Sequence, residues 1–534
     1  MTSRDRLLIL VGVLLGLFLA ALDQTIVATA LPAIVADLHG LDLLAWVSTG
    51  YLLASTAMVP VYGRLADLHG RRRILVAGIV TFLAGSALCG VAQSMLQLIA
   101  FRILQGVGAA ALTSTAFIIP ADLFAPAERP RYQGLFGAVF ALASLVGPPL
   151  GGVLTDTVGW RWVFYVNVPV GALALAVVLL RMPTMARGVR APIDWPGTVL
   201  LLAAVVPLLL ALTLDRTLFP WHAPFTLALL ATSGLAAAAF LVVERRAPSP
   251  ILPLGLFRNR TVTLIAAASL LTGAAFFGAL FFLSLFMVNV VGVSATAAGS
   301  TLVPLTLAVV TGALLSAQVV QRTGRYKWVI VAGYLVATVG MALLATMGEH
   351  VTQGGVVWRM VVLGLGLGPS MPLLTLVVQN AAPPGQVGTA TASRQFFMQI
   401  GSVVGVAVFG AIFSATLTEA VEAALRPALA QLPPGVRRSV DPAALRASLR
   451  GSGAGGRLMV TAAPGPDGTA MRAAVRRGFA VSILRVYASA IPLTLLAGAL
   501  MLALPELPLR RTRPPAPGEA VATGQEGIPG AWNG

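Results

Sequence analysis

Three side chains in the first third of the chain carry most of the chemistry this sequence can do. Asp23 lies a little past the middle of the apolar run 7–31 (LLILVGVLLGLFLAALDQTIVATAL), with Gln24 and Thr25 beside it. Arg102 and Gln105 lie in a second such run, 96–120. An ionised side chain at bilayer depth is costly unless it faces protein, trapped water or an opposite charge. Successive runs cross in opposite directions at about 1.5 Å per residue, which puts Asp23 and Arg102 at similar depth. They can then meet directly, or through water and Gln105. Burial favours the neutral acid and a neighbouring guanidinium favours the carboxylate, so a change in hydration would load or release a proton. A fixed structural ion pair is the alternative.

The elements that must hold these groups follow from composition. At 534 residues, 57% hydrophobic and 10% charged, with a mean hydropathy of +0.88, the chain has more apolar surface than a soluble core could hide. It reads as an all-α, multi-pass membrane protein. A window of about 19 residues marks fourteen spans: 7–31, 43–62, 74–92, 96–120, 132–154, 162–180, 197–214, 224–243, 262–291, 297–320, 328–347, 355–378, 387–417 and 479–504. The net charge of +17 comes from arginines dispersed among loops, with no basic face interleaved with aromatics, which speaks against nucleic acid. Cys89 is the only cysteine, so neither a disulfide framework nor a cysteine metal site is available. The four histidines are scattered without metal spacing, and no GxxxxGK[ST] phosphate loop occurs. No enzyme, cofactor or metal centre is expected, nor a cleavable signal peptide, since the first run is too long and is followed by further spans.

Orientation follows from the arginines. Arg4 and Arg6, Arg64 with Arg71 to Arg73, Arg129 and Arg131, Arg245 and Arg246, Arg258 and Arg260, Arg322 with Arg325 and Lys327, and Arg510 and Arg511 fall on one side, which predicts cytoplasmic termini and a plasma or inner membrane. The long outer loop 418–478 breaks this bias, but loops of about 60 residues translocate despite their charge; within it EAVEAALRPALAQL reads as a short amphipathic helix. The tail 510–534 reads as disordered. An echo of the loop GRLADLHGRRR (63–73) in AQVVQRTGRYK (317–327) matches Gly70 to Gly324 and Arg71 to Arg325. It predicts two six-helix halves, 1–190 and 251–509, separated by two inserted spans within 191–250.

Several motifs then carry a resemblance. GRLADLHGRRR, RILQGVGAA (102–110), GPPLGG (147–152), LDQTIVATALP (22–32), WRWVFYVNVPVG (160–171) and RQFFMQIGSVVGVA (394–407) together resemble the major facilitator superfamily, and specifically its fourteen-helix drug:proton antiporter branch. The resemblance covers nearly the whole chain except the outer loop and the tail. It implies the major facilitator fold with two inserted helices and a central site between the halves. The implied activity is proton-coupled efflux of lipophilic small molecules, in contact with membrane lipid, with the proton as the coupling ion. A monomer is expected. A lipid or glycolipid exporter of the same fold, an importer, and a non-transporting sensor or scaffold stay open as alternatives.

Individual residues take expected roles. Gly63, Asp67, Gly70, Arg71 and Arg73 form a loop in which an acid and a basic cluster can make charge-assisted contacts between helices, including a helix end on the other half. The resemblance implies a gate latch; the alternative is that the arginines only set topology. Gly147, Pro148, Gly151 and Gly152 should kink the fifth span and let it pack closely, and the resemblance implies that this element biases the carrier toward antiport. Position 143 is Ala, where the family often has Gly. Gln24, Phe276, Phe277, Phe281 and Met287, with Phe397, Met398 and Gln399, are candidates for the substrate cavity, lipid-facing bulk being the alternative for any one ring. With Asp23 the only acid deep in a span, neutral, zwitterionic or monocationic amphiphiles are expected over dications.

Overall fold

Within a lipid bilayer only a helix or a closed barrel satisfies every backbone N–H and C=O, so the apolar runs of this chain must be helical. The computed structural model describes residues 2–506 and 508, apart from 41–42, 127, 184–191, 215–217, 294, 384 and 431–465, and no strand occurs among the described residues. Among the described residues, fourteen helices are long and apolar enough to cross a membrane. The first five spans are α1 (Ser3–Leu38), α2 (Leu44–His69), α3 (Arg71–Gly90), α4 (Met95–Leu123) and α5 (Arg129–Thr157). Span six is split into α6 (Trp162–Tyr165) and α7 (Asn167–Arg181), because Pro169 has no N–H to return to the carbonyl of Tyr165. Then come α8 (Trp195–Thr213) and α9 (Pro224–Glu244), followed by α10 (Arg260–Phe286), which ends in a π turn, Met287–Val291. The remaining spans are α11 (Ala295–Thr323), α12 (Lys327–Ala345), α13 (Gln353–Leu367) with α14 (Ser370–Ala381), α15 (Val387–Ala430) and α16 (Pro466–Leu502). Pro369 and Pro372 separate α13 from α14 in the same way.

Several helices outrun the apolar stretches that announce them. Thr2 and Asp5 form a reciprocal capping box that starts α1 four residues before its apolar run. The last expected helix begins at Pro466 rather than at residue 479, and α15 runs to Ala430 rather than stopping at residue 417. The EAVEAALRPALAQL segment is therefore continuous with α15 up to that point, its Ala, Glu and Leu being strong helix formers. The centre of the outer loop, 431–465, and the tail beyond 508 lie outside the described residues. On this side Arg477 of α16 pairs with Glu349 at 2.6 Å and holds that carboxyl below its ordinary range.

Packing groups α1 to α7 and α10 to α16. In the first group α4 lies against α1, α2 and α3, and α1 against α5 and α7. In the second, α10 packs on α15 and α16, and α13 on α11 and α12. The groups meet where α2 and α4 touch α15 and where α5 touches α11. The inserted α8 and α9 pair with each other, Ser233 donating to the Ala204 carbonyl at 2.7 Å, and α8 lies over the α2–α15 seam. Leu53, Val205, Leu209, Phe240, Ala392 and Phe396 form the shared apolar cluster there. The turns that echo each other in sequence share a backbone feature: Gly70 has φ +90° and Gly324 φ +70°, a region glycine enters freely. They mark what is called here the basic end of the bundle.

The α10–α15 crossing is so close that a side chain on Gly401 would collide with the backbone carbonyl of Leu270. Gly410 on the same helix has nothing within 4 Å of where a Cβ would stand. Gly401→Leu is expected to lower stability by about 3 kcal/mol or more through overpacking against a rigid backbone, whereas Gly410→Ala leaves it unchanged or slightly raised. Thermal unfolding of the two variants in detergent checks this.

Candidate functional site

Asp23 sits on the inner face of α1 with no solvent exposure, and Arg102 of α4 is 1% exposed. The guanidinium Nη1 pairs with Asp23 Oδ2 and donates to Gln105 Oε1 at 2.7 Å, while Nε donates to the Val47 carbonyl at 3.2 Å. The other carboxylate oxygen accepts from Gln105 Nε2 at 2.8 Å and from Asn167 Nδ2 at 3.1 Å. Ser86 closes the ring, accepting from Gln105 at 3.1 Å and Asn167 at 3.0 Å and donating to the Phe164 carbonyl at 2.9 Å. The Tyr51 ring lies 4.3 Å from the guanidinium carbon, a cation–π contact. Two helices, α4 and α7, thus donate to one carboxylate, while α2 and α3 hold those donors in place. The carboxylate is matched by a guanidinium and shielded from water. Of the expected arrangements, the direct contact of Asp23 with Arg102 and Gln105 is the one present; the acid is enclosed within the first group of helices, while its neighbour Gln24 is exposed.

At the basic end a second buried acid bridges the two groups. Asp67, in the last turn of α2, accepts from the Gly388 N–H at 3.1 Å, the Thr389 N–H at 2.7 Å and the Thr389 hydroxyl at 2.8 Å. These are the first-turn amides of α15, where unpaired N–H groups and the helix dipole favour an anion. Arg71 pairs with the same carboxylate at 2.6 Å and with Asp122 of α4 at 3.1 Å, and donates to the Ala66 carbonyl at 2.7 Å. Gly63 faces Ala392, with no room for a Cβ. Gly70 supplies the turn. Arg72 reaches the Leu179 carbonyl at 2.7 Å, whereas Arg73 is exposed and has no hydrogen bond or ion pair among the described residues. Gln379 of α14 donates to the Phe117 carbonyl of α4 at 2.9 Å. Among the described residues, every hydrogen bond joining α1–α7 to α10–α16 lies at this end, so the basic end is closed.

The remaining expected residues divide. Gly147 and Gly151 lie against Thr25, Ile26 and Thr29 of α1, leaving no space for side chains, and the Thr25 hydroxyl donates to the Ala143 carbonyl at 3.0 Å. Gly152 has nothing within 4 Å and takes no part in that packing. α5 remains one helix through Pro148 and Pro149. Phe277 and Phe281 are exposed and Phe276 is half-buried, while Met287 is fully enclosed in the core of the second group and is not on an open surface here. Phe397 and Gln399 are half-buried; Met398 is buried.

Sequence reasoning passed over Tyr51, Ser86 and Asn167 around Asp23, and Thr389 and Asp122 around the latch. Asn167 had a signal, an amide two residues before a proline in an apolar run. Ser86 had none. Thr389 lies 322 residues from Asp67, and no local pattern announces such a contact.

The sequence profile of the Major Facilitator Superfamily matches residues 13–406. Among similar proteins, the multidrug transporter protein MdtP of Bacillus subtilis (strain 168) is 39% identical over 430 residues, 80% of this chain and 79% of its own length. Multidrug resistance protein 3 of the same organism is 34% identical over 404 residues, 76% of this chain and 79% of its own. Among solved structures, the human organic anion transporter MFSD10 superposes with a TM-score of 0.61 at 15% identity, covering 94% of this chain and 100% of that one. The proton:xylose symporter XylE does so with a TM-score of 0.59 at 14% identity, covering 95% and 97%. At such identities the likeness is one of fold.

Two measurements check this geometry. Arg102→Gln, which strands the Asp23 carboxylate, is expected to cost about 3 kcal/mol of stability, and the double variant with Asp23→Asn to recover at least about 1 kcal/mol of that; simple additivity in thermal unfolding would show the two groups to be uncoupled. In the latch, Asp67→Ala should speed amide hydrogen exchange at Gly388 and Thr389 by about tenfold or more, the equivalent of about 1.4 kcal/mol, with Arg73→Ala leaving those amides unchanged.

Proposed function

The chain belongs to the Major Facilitator Superfamily, and from that premise we propose that it is a proton-coupled antiporter exporting lipophilic, mainly neutral or monocationic compounds by alternating access. The names of the similar proteins, a multidrug transporter protein and a multidrug resistance protein, support export of drug-like molecules. The arginine bias supports a cytoplasmic basic end, with both termini there, in the cell membrane. Closure at that end then corresponds to an outward-facing state.

The observation that carries the coupling is that one helix, α4, holds Arg102 near one end and the latch contacts at Phe117 and Asp122 near the other. A proton taken up by Asp23 removes its attraction for Arg102, leaving the guanidinium to Val47, Gln105 and Tyr51. The contact between α1 and α4 loosens, and the displacement travels along a stiff helix of 29 residues to the latch. Asp67 then leaves the α15 amides, the cytoplasmic end opens, and substrate enters. Loss of the proton to the cytoplasm restores the pair and closes the latch. Each proton entering gains about 2.3 kcal/mol per 100 mV of membrane potential. In this reading the proton is the coupling ion, and Gln24 and the exposed rings of α10 meet the substrate.

Asp23→Asn holds the site permanently neutral. In vesicles with an imposed proton gradient, it is expected to lose gradient-driven efflux of a panel of neutral and cationic dyes by at least tenfold while still binding them. Active efflux at the normal rate in that variant would sink the coupling scheme.

A further inference from the structure

One buried guanidinium has no carboxylate partner among the described residues. Arg394, in the second turn of α15, is 3% exposed, and its only side-chain hydrogen bond runs from Nη1 to the Met398 sulfur at 3.7 Å. Its Nε has no partner, and among the described residues no carboxylate lies within ion-pair distance. Both amide atoms of Gln395 and the Oε1 of Gln399 are likewise buried without partners, as is the Ser269 hydroxyl on the facing α10. A buried guanidinium whose neighbours are a thioether and the buried Tyr334 phenol, neither of them charged, is in deficit. In the first helix group the same residue type is fully matched at Arg102. Among the described residues Arg394 is thus a buried guanidinium with neither a carboxylate nor a carbonyl partner, on a helix that also carries partnerless buried amide atoms at Gln395 and Gln399.

We propose that Arg394 is a recognition residue for a monoanionic oxyacid group, a carboxylate or a phosphate ester, on a lipophilic body, with Gln395 and Gln399 as its supporting amides. This deepens the reading of the chain as an exporter and rests on it for the word substrate. It adds monoanions to the neutral and monocationic compounds proposed above, because Arg102 is engaged by Asp23 whereas Arg394 has no such partner. Exporting a monoanion against an entering proton moves charge in one direction on both legs, so the membrane potential drives each of them; with a monocation the two legs cancel.

The test uses the full chain in detergent with three pyrene probes alike in body and different in head: 1-pyrenebutyrate, 1-pyrenebutanol and 4-(1-pyrenyl)butylamine. Energy transfer from tryptophan reports binding. The wild-type protein is expected to bind the acid at least tenfold more tightly than the alcohol and the amine. Arg394→Met should reduce that preference to within twofold, and Arg394→Lys should keep most of it. Added phosphatidylglycerol that displaces the acid but not the alcohol identifies a lipid headgroup as an occupant of the site; no displacement assigns the site to a free oxyacid. Equal affinity for the heads in the wild type, including no binding of any, overturns the proposal, as does an Arg394→Met protein that keeps the preference or weakens all three probes alike. Should neither variant fold, the wild-type preference decides. Head-group preference is independent of the Asp23→Asn efflux result, so failure of one leaves the other standing.

Discussion

A charge inside a bilayer must be answered by an opposite charge, a helix end or water, and the architecture of this protein is arranged around three such charges. Asp23 is answered by a guanidinium and a ring of amide donors. Asp67 is answered by the exposed amides at the start of α15, a contact available only while α2 and α15 are side by side. Arg394 is left without a carboxylate partner among the described residues. The first arrangement suits a site that changes with a proton, the second one that changes with conformation, and the third one that waits for a ligand. Each follows from the same desolvation cost.

Helix α4 takes part in the first arrangement and reaches the second. It presents Arg102 to α1 at one level and Phe117 and Asp122 to the Asp67 cluster at another, and it packs closely on α2 and α3. The inserted pair α8 and α9 adds an apolar wall along the α2–α15 seam, where the latch operates. In the second group the tight α10–α15 crossing serves a different end: it brings Ser269 and Arg394 onto facing helices just below the closest approach.

The helical content, the fourteen spans and the family resemblance were legible in the chain, because hydropathy and the demand for internal hydrogen bonding leave little choice within lipid. Span ends were less so. The capping box at Thr2, and the continuation of α15 to Ala430, depend on helix propensity and caps rather than on apolar character. Counting depth along antiparallel helices brought Asp23 level with Arg102, and the two are in contact. The ring of Ser86, Asn167 and Tyr51 was not legible, since a single small polar residue on an apolar helix carries no pattern.

By itself the amino-acid order determined how many times the chain crosses the membrane, which turns carry positive charge, and that Asp23 would need a partner, all of them consequences of one-dimensional spacing and transfer energies. Only the tertiary structure decided that Asp23 is sealed from water, that Asp67 caps a helix more than three hundred residues away, and that Arg394 has no carboxylate partner among the described residues. Those outcomes depend on which helix faces which, and side-chain direction around a helix is settled by packing between distant segments, which no local pattern records.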